Sequence, residues 1–113
     1  LNYLSVELET KVVLSKVKGL DNKKGSDVVK NMIELANLTR EGFKNGDISN
    51  LMSPRTVISW AENYQIFSDL VSSFELSFLN KCDETEKPII AEYFQRCFDQ
   101  ETSDSISNLI DQD

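Results

Sequence analysis

Arg55 is the residue whose type and position most clearly indicate a ligand contact. It follows Ser53-Pro54, a typical helix start in which serine caps the helix and proline occupies its first position. A cation in that first turn opposes the helix dipole, at a cost of about 0.3 to 1 kcal/mol at an exposed end. The N-terminus of a helix can also bind an anion, and a guanidinium adds a planar fork of donors. Two interpretations follow for Arg55: a phosphate contact, or a solvated arginine whose stem covers apolar surface.

The cysteines do not form a metal site by themselves. The sequence contains no histidine, so it lacks the commonest general base and the commonest metal ligand. Two thiols without histidine cannot complete a zinc site, and without a secretory signal a structural disulfide is not expected. We therefore predict that Cys82 and Cys97 are buried free thiols.

Acidic and glycine pairs also argue against catalysis by this chain. Carboxylates at helix ends serve as caps or solvated surface far more often than as a general acid and base. The predicted helix ends carry two such pairs, Asp83/Glu84 and Asp99/Glu101. The glycine pairs lack the G-x-x-x-x-G-K-[ST] pattern of a phosphate-binding loop. These are Gly19/Gly25 and Gly42/Gly46.

The composition indicates one helical domain. A chain of 113 residues is long enough for one domain and too short for two. Its 40% hydrophobic and 27% charged residues are typical of globular proteins, and four glycines with two prolines are too few for a turn-rich β-sandwich. The net charge of −7 disfavours nucleic acid as a partner, because phosphate attraction dominates that affinity.

The sequence shows no segment that targets a membrane or the secretory pathway. It has no run of about 18 apolar residues and no basic-then-apolar leader, so we expect no membrane partner and a cytoplasmic location. The first residue is Leu1 and not methionine, which suggests a piece of a longer protein.

Hydrophobic spacing and start signals predict an all-α fold, a small bundle of about five helices. Residues 69–81 could alternate as a strand, but a lone strand would have no partner, so a helix is favoured. Ser5, Ser26 and Ser53 are the predicted caps of the first three helices. The predicted helices cover residues 5–18, 27–44, 54–67, 69–81 and 84–98. The acidic segment 100–113 is predicted to be a disordered tail of a domain that covers 1–99.

Each predicted helix presents an apolar stripe to the core. Trp60, Tyr64 and Phe67 could stack on a ligand, but their helical spacing favours core packing. Arg40 and Lys44 suit the negative end of the second helix and are too few to form a basic patch. The predicted inward side chains are Leu8, Val12, Val13, Val17 and Leu20; Val28, Val29, Met32, Ile33, Leu35, Ala36, Leu38 and Phe43; Val57, Trp60, Ala61, Tyr64 and Phe67; and Ile90, Phe94, Cys97 and Phe98.

Several motifs together resemble one protein family. Met52-Ser53-Pro54-Arg55-Thr56 precedes Trp60-Ala61-Glu62-Asn63, and two further runs follow at 78–84 and 93–98. They resemble the C-terminal end of the ATPase subunit of the aerobic, cobalt-dependent chelatase of cobalamin biosynthesis, an AAA+ protein of the MoxR-like branch. The likeness covers nearly the whole chain up to Phe98, and the acidic tail does not share it.

This resemblance implies a fold, a site and a function. The region would be the small helical lid of the ATPase, with Arg55 as the sensor-2 residue that contacts the nucleotide phosphates. The parent protein would use ATP and magnesium and assemble as a ring with neighbouring AAA+ subunits and other chelatase subunits. It would couple ATP binding and hydrolysis to the insertion of cobalt into hydrogenobyrinic acid a,c-diamide.

The chain departs from the family pattern by what it lacks. It has no Walker A motif, no Walker B carboxylates and no arginine finger, so we do not expect it to hydrolyse ATP by itself. Two alternatives stay open: a lid of another MoxR-type ATPase that serves a metalloenzyme, and a helical protein-interaction module that binds no nucleotide. The run Asn80-Lys81-Cys82-Asp83-Glu84 favours the chelatase.

Overall fold

Helices form the regular secondary structure of residues 5–98, the part of the chain that the computed structural model describes. Within that range there is no β-strand, so the prediction of an all-α bundle of about five helices is confirmed. The predicted tail at 100–113 lies outside the described residues. The helices are α1 (Val6–Lys16), α2 (Lys23–Asn45), α3 (Pro54–Phe67), α4 (Leu70–Ser77) and α5 (Lys87–Phe98), with short 3-10 turns at Lys18–Leu20 and Leu79–Lys81.

Side-chain caps set the starts of α1, α3 and α4. Ser5 Oγ accepts a hydrogen bond from the Leu8 N–H at 3.3 Å, and Ser53 Oγ accepts one from the Thr56 N–H at 3.2 Å. Asp69 Oδ1 accepts from two backbone N–H groups of the first turn of α4. The predicted caps at Ser5 and Ser53 are therefore confirmed. The segment predicted as a helix over 69–81 forms a shorter α-helix, Leu70–Ser77, followed by the 3-10 turn Leu79–Lys81, and it forms no strand.

The predicted start of α2 is wrong. Asn22, and not Ser26, caps this helix, with its Oδ1 accepting from the Gly25 N–H at 2.8 Å. Gly25 makes the earlier start possible, since a Cβ at this position would lie 2.2 Å from the Leu20 carbonyl oxygen. The glycine that looked like part of a turn is thus a point of close backbone approach inside a helix.

Aromatic side chains form the centre of the core. Trp60 on α3 is fully buried against Phe74 on α4, with ring centroids 4.9 Å apart. Phe74 stacks on Phe94 of α5 at 4.8 Å, and the indole N–H of Trp60 donates to Ser73 Oγ at 3.2 Å. In this arrangement α3 packs on α4, α2 packs on α5, and α1 lies against α2 and α3.

Four side chains predicted to face the core are exposed instead. Leu8 and Val12 point to solvent because α1 presents Glu9, Thr10 and Val13 to its neighbours. Phe43 and Phe67 lie in the last turns of α2 and α3, where 47% and 55% of their surfaces remain accessible. Five further side chains that were predicted to be buried are only partly so: Val28, Leu38, Tyr64, Cys97 and Phe98.

None of the described helices combines the length and the apolar character that crossing a bilayer requires.

Candidate functional site

Arg55 lies in the first turn of α3 with its side chain exposed. No ion pair between described residues includes it. It is the only cation in α3, whose other charged residue is Glu62, also exposed. The buried face of the helix is formed by Val57, Trp60 and Ala61, so Arg55 projects from the side of α3 that does not pack on the bundle.

Most backbone donors at this helix start are already used. Pro54 has no N–H, the Thr56 N–H donates to Ser53 Oγ, and the Val57 N–H donates to the Ser53 carbonyl at 3.1 Å. The Thr56 and Ser53 hydroxyls are also hydrogen-bonded to each other at 3.1 Å. An anion at this end would therefore be held chiefly by the Arg55 guanidinium, with the Arg55 N–H as the remaining backbone donor.

The segment that leads into α3 is attached to α2 through Met52. The Met52 N–H donates to Thr39 Oγ1 at 2.9 Å, and its carbonyl accepts from Arg40 Nε at 2.8 Å. The Met52 side chain is fully buried. The side chains of two successive residues of α2 thus bind both backbone polar groups of Met52, three residues before Arg55.

The other end of this connector is attached to the segment before α5. Gly46, in the left-handed region with φ of 82°, ends α2 and reverses the chain. Ser49 then donates its N–H and its hydroxyl to Glu86 Oε1 at 2.8 and 3.0 Å. The connector between α2 and α3 is therefore held by side chains of α2 at one end and of the segment before α5 at the other.

A buried ion pair between α1 and α2 is the feature that the sequence reasoning missed. Arg40, predicted as a cation at the end of α2, is buried and paired with Glu9. A signal for this pair existed: Glu9 is followed by Val13 and Val17 at intervals of four, so it shares a helix face with two buried valines. A carboxylate on such a face needs a buried cation.

The thiols are suited to packing and not to nucleophilic chemistry. Neither cysteine is in a disulfide; Cys82 is buried, as predicted, whereas Cys97 is partly exposed. Cys82 Sγ donates to the Phe78 carbonyl at 3.4 Å. Burial raises the pKa of Cys82 and of Cys97 to about 11, so both thiols are protonated at neutral pH.

The described acidic pair, Asp83 and Glu84, makes only local hydrogen bonds and ion pairs at the surface. Asp83 Oδ1 accepts from the hydroxyl and the N–H of Thr85, and these hydrogen bonds lower the pKa of Asp83. Glu84 is paired with Lys87 at 2.7 Å. Asp99 and Glu101 lie outside the described residues. Among residues 5–98, no group of three or more histidine, cysteine, aspartate or glutamate side chains could hold a metal ion.

Arg55 therefore stands alone as the candidate ligand contact in the described part of the chain. Over 110 residues, which is 97% of its length, the chain is 48% identical to the aerobic cobaltochelatase subunit CobS of a Sinorhizobium species. It spans 33% of the length of that protein. No protein-family model and no solved structure matches the chain. The identity confirms the resemblance to a cobaltochelatase subunit that the motifs around Arg55 indicate.

Proposed function

We propose that this chain, a homologue of one third of CobS, is the helical lid of the ATPase subunit of an aerobic cobaltochelatase. The lid couples ATP binding and hydrolysis to the insertion of cobalt into hydrogenobyrinic acid a,c-diamide during cobalamin biosynthesis. The observation that carries the proposal is the 48% identity to CobS over 97% of the chain. The all-α bundle is consistent with a lid, and the exposed Arg55 is available for a phosphate.

Arg55 is the residue of this lid that contacts the nucleotide. When bound, ATP supplies the free energy of hydrolysis of its terminal phosphate. The Arg55 guanidinium donates to phosphate oxygens and stabilises a closed position of the lid, and less negative charge after hydrolysis weakens this contact. The opposite face of α3 is packed on the aromatic core, so a displacement of the start of α3 by the phosphate contact is transmitted to the rest of the bundle.

The remaining parts of the nucleotide site come from outside this chain. The sequence contains no P-loop, and the described residues offer no cluster of ligands for magnesium. Neighbouring AAA+ subunits in a ring and the other chelatase subunits are the proposed partners, and the cytoplasm is the proposed location. One arginine fork supplies about 1.5 to 3 kcal/mol, less than the roughly 4 kcal/mol of millimolar binding. The isolated chain should therefore show no micromolar affinity for ATP by calorimetry.

The test is an Arg55→Ala substitution in the full-length protein that carries this chain. We expect kcat/KM for ATP to fall by roughly 10- to 100-fold, the effect of losing a charged hydrogen bond, and cobalt chelation with the partner subunits to fall with it. Arg96→Ala is the matched control, because Arg96 is an exposed arginine on α5 that pairs with Glu92. Unchanged ATP hydrolysis and unchanged chelation in Arg55→Ala would refute the sensor role.

A helical protein-interaction module that binds no nucleotide is the second candidate. Its support is the set of large apolar side chains that face solvent, with exposed fractions of 47% to 71% for Leu8, Phe43, Ile66, Phe67 and Leu76. Under this alternative Arg55→Ala leaves ATP hydrolysis intact, whereas Phe67→Ser weakens binding to a partner protein. If the parent belongs to another MoxR-type ATPase, Arg55→Ala lowers ATP hydrolysis in a protein that supports no cobalt chelation.

A further inference from the structure

The ion pair of Glu9 and Arg40 is the most buried charged group among the described residues. Arg40 Nη2 donates to Glu9 Oε2 at 2.7 Å and Arg40 Nη1 donates to Glu9 Oε1 at 2.9 Å, so the guanidinium binds both carboxylate oxygens. The two side chains are 6% and 0% exposed. Nη1 also donates to Asn37 Oδ1 at 2.9 Å. This geometry fixes the direction of the guanidinium.

The third nitrogen of the guanidinium, Nε, contacts the backbone just before α3. Arg40 Nε donates to the Met52 carbonyl, and Thr39 Oγ1 accepts the Met52 N–H. Met52 is followed directly by the capping Ser53, and Pro54 and Arg55 then begin the helix. A single planar group thus joins α1, α2 and the backbone that places Arg55.

The buried position of this pair is not explained by stability. Removing two charges from water costs free energy that their attraction only partly returns, and well-packed apolar side chains often serve as well. A guanidinium supplies in addition a donor of fixed direction for the Met52 carbonyl, which apolar side chains cannot.

We propose that Arg40 is a positioning residue, which holds the Ser53–Arg55 start of α3 at a fixed place relative to α1 and α2. Its effect on activity rests on the function proposed for Arg55, whereas its effect on the backbone does not. Placement matters here because an error of about 1 Å in a contact at a reacting site can cost on the order of 100-fold in rate.

The experiment uses three variants of the full-length protein. Glu9→Leu/Arg40→Met removes both charges and the bond to Met52 and leaves an apolar pair of similar length. Arg40→Lys keeps a cation for Glu9 but has no donor at the Nε position, so it serves if the double variant does not fold. Glu92→Leu/Arg96→Met is the matched control, since it removes a glutamate–arginine pair from the exposed face of α5.

The first measurement is hydrogen exchange of the Thr56 and Val57 amides, which donate to Ser53. We expect both amides to exchange roughly tenfold faster in Glu9→Leu/Arg40→Met and in Arg40→Lys, as follows from losing a hydrogen bond from a charged donor. The control variant should exchange at the wild-type rate. Wild-type exchange at Thr56 and Val57 in a folded Arg40 variant overturns the proposal.

The second measurement is the KM for ATP in a double-mutant cycle with Arg55→Ala. If Arg40 acts through Arg55, the Arg40 variants raise KM in the wild-type background and cause no further rise when Arg55 is alanine. If Arg40 acts on KM independently of Arg55, the combined variant should instead show the product of the two single rises in KM, and this result would contradict the proposal.

The two measurements separate the positioning role from the proposed function. If Arg55→Ala alone leaves ATP hydrolysis and chelation unchanged, the proposed function fails, and hydrogen exchange still decides whether Arg40 holds the start of α3. If Arg55→Ala raises KM but a folded Arg40 variant changes neither KM nor exchange, the positioning role fails and the proposed function stands.

Discussion

Two arginines in neighbouring segments of this bundle have opposite surroundings. Arg40 is buried between α1 and α2, where it donates to Glu9, Asn37 and the Met52 carbonyl. Arg55, at the start of α3, is exposed and forms no ion pair with any described residue. The same side chain is thus committed to the fold at one position and free to bind a ligand at the other.

The difference follows from what each position does to a charge. A buried guanidinium is tolerated only when its donors and its charge are matched, so its partners must come from the protein itself. An exposed guanidinium is solvated and can exchange water for a ligand at little cost to folding. Substitution of Arg40 should therefore lower the stability of the fold, whereas substitution of Arg55 should affect ligand binding and leave stability nearly unchanged.

The largest expected effect is that of Arg40→Met alone. This substitution leaves the Glu9 carboxyl group in a fully buried position without its arginine. Breaking a buried pair in this way typically costs about 3 to 5 kcal/mol, a large part of the stability of a domain of this size. Urea unfolding followed by circular dichroism measures the loss as a lower midpoint.

Glu9→Leu/Arg40→Met is the control for that measurement, because it removes both charges. We expect the double variant to recover most of the stability that Arg40→Met loses. A loss below about 1 kcal/mol for Arg40→Met would contradict the prediction and would mean that water reaches Glu9 once the arginine is gone.

The start of α3 could be predicted from the sequence because its determinants are local. Ser53 and Pro54 act within one helical turn, and each contributes through its own chemistry. The start of α2 could not, because Asn22 caps it only if Gly25 lets the backbone approach Leu20. Judged from the sequence alone, Ser26 is an equally good cap. The close approach of Gly25 to Leu20, a residue outside the helix, decides in favour of Asn22.

The buried partner of Arg40 could not be predicted because it lies 31 positions away in the sequence. Composition and periodicity describe each helix separately, and they do not specify which charge of one helix meets which charge of another. Arg55 could be proposed as a ligand contact from its neighbours in the chain, Ser53 and Pro54, alone. The features that attach it to the bundle, Met52 and Arg40, were visible only after the helices were packed.

The contrast between buried and exposed groups also applies to a neutral group, the buried thiol of Cys82. Its pKa is raised from 9.0 to about 11, chiefly by burial. Below pH 9 the thiol is protonated in the folded and unfolded states alike. Between pH 9 and pH 11 the unfolded chain loses this proton while the folded chain keeps it, so stability should fall by about 1.4 kcal/mol per pH unit.

Cys82→Ala isolates this contribution. Urea unfolding of wild type and Cys82→Ala at pH 8 and pH 10 gives the pH dependence of each, and the drop should be smaller in the variant. Cys97 and Tyr93 also have raised pKa values, but they are present in both proteins and cancel in the difference. Equal drops in the two proteins would mean that the Cys82 thiol ionises as readily in the folded chain as in the unfolded chain.

The smallest expected effect on folding is that of Arg55→Ala, and its smallness is what the proposed role requires. An exposed cation in the first turn opposes the helix dipole, so its removal should not lower the free energy of unfolding by more than about 0.5 kcal/mol and could raise it by a similar amount. Ser53→Ala, two residues earlier, removes the cap of the same helix and should cost about 1 kcal/mol. Thermal unfolding of both variants measures the difference. A loss at Arg55→Ala as large as at Ser53→Ala would mean that this guanidinium also stabilises the fold, and the distinction between the two arginines would not hold.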